Sequence, residues 1–425
     1  MRESELTRIL VIGGGIAGTA AALALHKAGL DATVYEAHPD TGADIGAFLT
    51  LASNGMRALA QFDAAEPVAR AGFPITSMNV VDESGTELAA MPLGEPDHPL
   101  TRYRCLRRAE LGTVLRAEVQ ERGIPIRHAA RLRTVTETAT DITAHFADGS
   151  SATGDLLIGA DGLRSTVRSW LDPSDAGPSY AGQRVFYGYS TAAPPPSAVP
   201  ERITMVRGSA AAFGYLVSPS GETFWFARVA GLPVTAEEAA DLTPGQWRDW
   251  LLPLLRPDRT ETADIVAGTG DELMVTNALH LTPGLRWHTG RAVLIGDAAH
   301  AASPATGQGA SMALEDAVVL AKALRDAPTR AAALARYELH RRPRTERNMA
   351  VSAQLTASRA PAAAAPRDSE NPAPRDSENP APRDSENPAP RDSENPAPRD
   401  SENPASHVDE DLLRLLTWDT PLPEA

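Results

Sequence analysis

The chain has 425 residues, 42% of them hydrophobic, enough for a large core in two or three domains. A formal net charge of −15 without any Lys/Arg-rich run argues against nucleic acid as a partner. The single cysteine, Cys105, excludes an internal disulfide, and MRESELTR followed by a short, glycine-broken apolar run offers neither a secretory leader nor a membrane span, so the expectation is a soluble cytoplasmic protein.

RILVIG (8–13) has the pattern of a buried strand, the alanine-rich stretch 16–28 that of a helix, and DATVYEA (31–37) that of a second strand. Residues 108–122 read as a helix, 141–147 as an alternating strand, and DLLIGADG (155–162) as a buried strand ending in a turn. The stretch 180–230 differs. RVFYGYSTA, RITMVRG, AAFGYLVS and ETFWFARVA, separated by turn residues, predict an antiparallel sheet inserted into an α/β framework. RAVLIGD (291–297) returns to the framework and precedes helices at 309–325 and 329–350.

Residues 365–404 are five copies of APRDSENP, with two prolines per copy and no aliphatic residue larger than alanine. Such a segment cannot bury enough apolar surface to offset its ordering entropy, so a disordered linker is expected over 360–405. SHVDEDLLRLLTW (406–418) then predicts a short amphipathic helix capped by Ser406, docking through Leu412, Leu413, Leu415 and Leu416, within a C-terminal unit at 406–425. The fold class is α/β: a Rossmann-like domain from 1–175 and 286–350, and a substrate-binding sheet domain at 176–285.

GGGIAG (13–18) places Gly13, Gly15 and Gly18 in a GxGxxG spacing between a strand and a helix, and Glu36 ends the next strand about twenty residues on. Gly13 permits the tight turn, Gly15 a close approach to a pyrophosphate, and Gly18 close helix–strand packing. The helix N-terminus favours phosphate, and Glu36 suits ribose hydroxyls. Two later motifs accompany this one: GADG (159–162) with Arg164, and RAVLIGDAAHAASPATGQGASMALEDA (291–317).

Those three motifs, in that order, resemble the class A flavoprotein monooxygenases, the 4-hydroxybenzoate hydroxylase-like family, over residues 7–350. The resemblance implies one FAD and no separate NAD(P)H domain. It implies NADPH or NADH as co-substrate, and hydroxylation or epoxidation with O2 through a flavin C4a-hydroperoxide. An aromatic or polycyclic substrate in secondary metabolism, such as antibiotic biosynthesis, is expected. Carried over residue by residue, Asp297 meets the FAD pyrophosphate and ribityl chain, and Asp161 with Gly162 serves FAD and NAD(P)H. Arg108 contacts the flavin, Leu132 covers the adenine, Pro304 lies beside the ring, and Asn54–Gly55 open a helix near it. Ala17, Ile45 and Ala310 complete the expected cofactor set. The arginine that the family often keeps after the acidic end of the second strand is missing from AHPDTGADIGA.

The chemistry needs charge stabilisation at the reduced ring, for which Gly307 and Gly309 offer backbone amides and the helix from about 309 its positive end. Glu315 and Asp316 read as ordinary solvated acids of that helix, and His300 as a structural residue rather than a base. No metal motif or GxSxG nucleophile occurs. Tyr187, Tyr189, Phe213, Tyr215, Trp225 and Phe226 sit on the predicted sheet, where alternation turns about half toward the flavin. Tyr187, Tyr189, Phe213, Tyr215 and Trp225 are the candidate substrate contacts. Arg202, Arg207 and Arg228 read as solvated strand residues; if the aromatic side of the sheet faces the flavin, the pocket suits a sizeable apolar or polycyclic substrate better than a small carboxylate. A reductase or oxidase on the same fold is the alternative. A halogenase lacks its WxWxIP signature here, and a non-catalytic FAD-binding scaffold is a further reading.

Overall fold

The computed structural model describes residues 8–39, 47–95, 98–357 and 408–424; Ile45, Ser406 and the APRDSENP repeats lie outside them. Five parallel strands form the framework sheet, in the order Ala292–Leu294, Leu156–Gly159, Ile9–Ile12, Ala32–Tyr35, Ile126–Arg127. Ile9–Ile12 and Leu156–Gly159 are buried at every position, as parallel strands covered on both faces must be. The helix Gly309–Asp326 is buried from Ser311 to Leu324 and packs on the helices Ile16–Lys27, Ser53–Gln61 and Arg330–Ala357. An ordinary surface helix shows one apolar stripe; this one is enclosed on all sides.

The larger sheet has seven strands in the order Thr269–His280, Ser179–Ser190, Thr223–Ala230, Ala211–Val217, Arg202–Arg207, Ser77–Asp82, Glu87–Pro92. All neighbours are antiparallel except Arg202–Arg207 and Ser77–Asp82, which run parallel. The sheet is therefore not confined to 176–285: its last two strands come from a hairpin inside the segment expected to belong to the framework. The Asp82 carboxylate closes that hairpin by accepting from the Ser84 and Thr86 amides, each at 2.9 Å. On one face of the sheet Phe186, Phe213 and Trp225 pack with Trp247, Leu251 and Leu255 of the helix Pro244–Leu255.

The C-terminal helix is shorter than its sequence suggests, Glu410–Leu416, and its cap is Asp409 rather than Ser406: the Asp409 Oδ1 accepts from the Leu412 amide at 2.8 Å. Leu412, Leu416 and Leu422 are buried in the main core. Lys322 Nζ donates to the Leu415 and Thr417 carbonyls at 2.6 and 2.7 Å, which satisfies orphan acceptors at the helix end. Among the described residues, no helix is long and apolar enough to cross a membrane.

Candidate active site

The first strand ends at Ile12, and Gly13 turns the chain at φ +108°, where a Cβ would lie 2.4 Å from the Ala160 carbonyl oxygen. Gly18 admits no side chain either, since its Cβ would fall 1.8 Å from the Gly13 carbonyl oxygen. Gly15 is the N-cap of the helix Ile16–Lys27, carries no capping side chain, and has open space where a Cβ would stand. The first-turn amides thus face a cavity, and a helix N-terminus favours negative charge there. Glu36 borders the same turn, accepting from the Gly14 amide at 2.6 Å and the His38 amide at 2.8 Å.

The second and third motifs close on this turn. Asp161 accepts from Ser165 Oγ at 2.5 Å and from the Thr166 amide at 2.7 Å, tying the turn to the helix Thr166–Leu171. Burial nevertheless pushes its carboxyl above the usual range, against the pull of those hydrogen bonds. Arg168 bridges motifs by donating to the Leu163 and Ala298 carbonyls while paired with Asp175 at 2.7 Å. Gly296 sits at φ +59°, and a Cβ would come within 2.9 Å of Ala17 Cβ, which brings Asp297 to the cavity beside the first helix. Gly307 takes the left-handed conformation after the 3-10 turn Pro304–Thr306, and Gly309 then opens the buried helix without a capping side chain.

Glu315 and Asp316 are not solvated; both are fully sealed from solvent. Arg341 reaches both acids, Glu315 Oε2 at 2.5 Å and Asp316 Oδ1 at 2.7 Å, and Arg344 adds a second bond to Glu315 Oε2 at 2.8 Å. The second oxygens of these acids hold the cavity loops, Glu315 Oε1 while also accepting from Arg344 Nη2 at 2.9 Å. Glu315 Oε1 accepts from Asn54 Nδ2 at 2.6 Å, and Asn54 also donates to Gln308 Oε1 at 3.0 Å. Asp316 Oδ2 accepts from the Gly296 amide at 2.8 Å and pairs with His300 Nε2 at 2.6 Å. Burial alone would raise the Asp316 carboxyl, but the charges of His300 and Arg341 outweigh it and hold it down at about 2. His300 is thus a buried supporting residue, packed beside Trp287.

One cavity of about 720 Å³ joins these parts. Gly13, Gly15, Ala17, Glu36, Arg108, Leu132, Asp161, Asp297, Pro304, Gly307, Gly309 and Ala310 all border it. Gly18 lies beneath the turn, and Ile45 is outside the described residues. Of the five aromatic candidates, only Tyr187 borders it. Phe213, Tyr215 and Trp225 belong to the opposite face of the sheet: Phe213 and Trp225 stack at 5.4 Å, Trp225 Nε1 donates to Thr269, and Tyr215 bonds to Ser197 and Glu261. Tyr189 shares the Tyr187 face but lies under the Arg107 guanidinium, 3.7 Å from its ring centre, and Arg107 is itself held by Glu222 at 2.9 Å. The walls that sequence reasoning missed are Phe48, Met78, Val185, Ile203, Met205, Phe226 and Arg228. Alternation along Thr223–Ala230 carries the signal: Phe226 and Arg228 face the cavity because Trp225, Ala227 and Val229 face the other core.

A family model described as FAD binding domain matches residues 6–352. The chain belongs to this family, the class A flavin monooxygenases. It is 32% identical over 335 residues to aurachin C monooxygenase/isomerase of Stigmatella aurantiaca, covering 78% of this chain and 84% of that one. It is 30% identical over 342 residues to an FAD-dependent urate hydroxylase of Klebsiella pneumoniae, covering 79% and 85%. Among solved structures, Klebsiella pneumoniae HpxO complexed with FAD and uric acid is similar, with a TM-score of 0.75 and 27% identity over 85% of this chain and 91% of that one. As a member of the family, this FAD-dependent oxidoreductase has a cavity that fits its cofactor. An uncapped helix N-terminus stands over Gly15, glycines fill positions where a Cβ would collide, and an acid lies at the end of the second strand.

Proposed function

We propose that this flavin monooxygenase uses NAD(P)H and O2 to hydroxylate or epoxidise an aromatic or polycyclic compound in secondary metabolism. One observation carries the reading: a single cavity runs from the glycine turn and Glu36, past Pro304–Gly309, to an apolar wall of Phe48, Met78, Val185, Ile203, Met205 and Phe226. Its two ends suit two different molecules, a dinucleotide and a flat apolar ring, which would meet at the Pro304–Gly309 loop.

In this reading the first-turn amides after Gly15 hold the pyrophosphate and Glu36 the ribose hydroxyls. Asp297 takes the chain between phosphate and ring, Leu132 borders the adenine, and Arg108 stands at the ring end. Bound FAD supplies electron transfer from NAD(P)H to O2 and the activated oxygen. The protein supplies placement and charge. The amides of Gly309 and Ala310, at the positive end of an 18-residue helix, favour negative charge at the ring edge. Asn54 and Glu315 fix that loop from behind through Gln308, so the amides stand in position before the reaction needs them. The apolar wall excludes water from the transfer site. The large sheet is accordingly the substrate wall, and the parallel sheet the nucleotide half.

The purified protein is expected to be yellow, to oxidise NAD(P)H faster with a suitable aromatic compound, and to consume O2 in proportion to oxygenated product identified by mass spectrometry. Hydride or electron transfer with no oxygen in the product would make it a reductase or oxidase. A yellow protein whose NAD(P)H oxidation ignores every ligand would make it a scaffold.

A further inference from the structure

The loop 302–309 borders the cavity along its whole length, and one helix, Arg330–Ala357, pins it at both ends. At the far end Asn54 holds Gln308 and is itself held by Glu315, which Arg341 and Arg344 of that helix pair. At the near end Ser303 meets the last turns of the same helix. Ser303 Oγ lies 2.9 Å from Ser352 Oγ and 2.8 Å from Thr356 Oγ1, and all three side chains are buried. Helical spacing brings them together. Arg341, Thr345, Asn348, Ser352 and Thr356 recur every three or four residues and are buried, a polar stripe where a core-packed helix would ordinarily carry an apolar one.

Three buried hydroxyls carry three protons, and each has a use. Ser352 Oγ donates to the Ser303 carbonyl, and Thr356 Oγ1 donates to the Ser352 carbonyl at 2.8 Å. The Ser303 proton is left for the two neighbouring hydroxyl oxygens, both nearer than the Ser352 carbonyl at 3.4 Å. The circuit closes on itself and grips Ser303 by side chain and carbonyl alike. Pro304 restricts Ser303 to the extended backbone it adopts, φ −57° and ψ 152°, so holding Ser303 sets the direction in which the loop leaves. Thr356 has a further tie. Gln183 Nε2 donates to its carbonyl at 3.2 Å, satisfying an orphan acceptor at the helix end. Gln183 stands on the strand Ser179–Ser190 two residues before Val185 and four before Tyr187, both on the cavity wall, and alternation puts all three on one face.

We propose that Ser352 and Thr356 are positioning residues for the bound flavin: acting through Ser303, they hold the loop 302–309 against the ring, and Gln183 registers that loop against the substrate wall. Both act at one remove from the cofactor. A loop released at Ser303 opens the ring end to water, while the nucleotide end from Gly13 to Glu36 keeps its grip. The inference rests on the proposed placement of the ring at this loop, and not on which compound is oxidised.

The test titrates the FAD-loaded full chain with iodide, whose quenching of flavin fluorescence reports how open the ring is. Thr356→Val keeps the side-chain shape and removes the hydroxyl, and Ser352→Ala removes the tie to the Ser303 carbonyl. Each should raise the iodide quenching constant, by up to about 5-fold, the effect of losing roughly one buried hydrogen bond on the population of the open loop. FAD content should stay near that of the wild type. Thr356→Ser, which keeps the hydroxyl, should quench like the wild type. Trp225→Phe, which weakens the far face of the sheet, should do so too despite its lost stability, and this separates positioning from general loosening. Wild-type quenching in both Ser352→Ala and Thr356→Val overturns the inference. So does a Thr356→Ser or Trp225→Phe protein as open as Thr356→Val. If Ser352→Ala does not retain FAD, Thr356→Val, in the last turn of the helix, decides alone. Iodide reads bound FAD without turnover, so a wild-type chain that holds FAD but never puts oxygen into a product counts against the monooxygenase reading and leaves this inference to the quenching result.

Discussion

Arg341 donates through Nε to Asp316 at 2.7 Å, and neither side chain has any solvent exposure. The same guanidinium holds Glu315, so one cation is shared by two buried acids, which Arg344 and His300 also pair and which in turn grip Gly296 and Asn54. Removing one partner of such a site leaves uncompensated charge, at a cost of about 3–5 kcal/mol. Arg341→Met should lose stability on that scale in chemical denaturation and lower the ratio of FAD to protein, because the loops around Gly296 and Gln308 lose their anchor. Unchanged FAD affinity in a destabilised Arg341→Met protein would separate this network from the cofactor cradle.

The same acids set an acid limit. Asp316 sits at about 2 in the folded protein, below its ordinary 3.8, and Glu315 is likewise lowered, burial opposing and Arg341 and Arg344 prevailing. A depressed carboxyl contributes stability that is complete above its unfolded value and lost as pH falls through the folded one. The stabilisation should therefore be full above about pH 5 and disappear toward pH 2. Release of flavin fluorescence during acid titration would follow it. Asp316→Asn should lose stability at neutral pH and flatten this part of the profile; an unchanged acid transition would show that other groups govern it.

The glycine turn was legible because its constraint is local: Gly13, Gly15 and Gly18 act within one turn of chain, and Glu36 closes the next strand. The burial of Glu315 and Asp316 was not, because it depends on Arg341, some 25 residues along and across a helix pair. Which aromatic faces the cavity was not legible either. Alternation divides Trp225 from Phe226, but only the pairing of seven strands decides which side meets the framework. The hairpin Ser77–Asp82 and Glu87–Pro92 escaped for the same reason: its partner strand, Arg202–Arg207, is more than a hundred residues away.

That division of faces separates kinetics from stability. Trp225 stacks on Phe213 and donates to Thr269 at 2.9 Å on the far side of the sheet. Trp225→Phe should cost about 1–3 kcal/mol of stability with KM little changed, since a buried hydrogen bond is broken away from the cavity. Phe226→Ala should raise the KM for a productive aromatic substrate, and uncouple NAD(P)H oxidation from oxygen insertion, with a smaller loss of stability. Steady-state kinetics with product quantification, beside thermal denaturation, distinguishes them. The reverse pattern would mean that substrate approaches another wall.

The C-terminal segment offers the last separation. Residues 365–404 read from composition as a linker, whereas Leu412, Leu416 and Leu422 beyond them are buried in the main core. Lys322 donates three hydrogen bonds to carbonyls of that segment, and Trp418 lies against Lys27 and Arg325. Deleting 365–404 in frame should leave FAD content and turnover nearly unchanged, because the closure cost of a connecting loop varies only with the logarithm of its length. Ending the chain at Ala357 should instead expose the groove that three leucines fill, each contributing about 2 kcal/mol, and strip Lys322 of its carbonyl acceptors. Thermal denaturation and FAD content of the two deletions check this. An internal deletion as damaging as the truncation would mean that the repeats do more than connect, and a harmless truncation would mean that the docked helix contributes little to the native state.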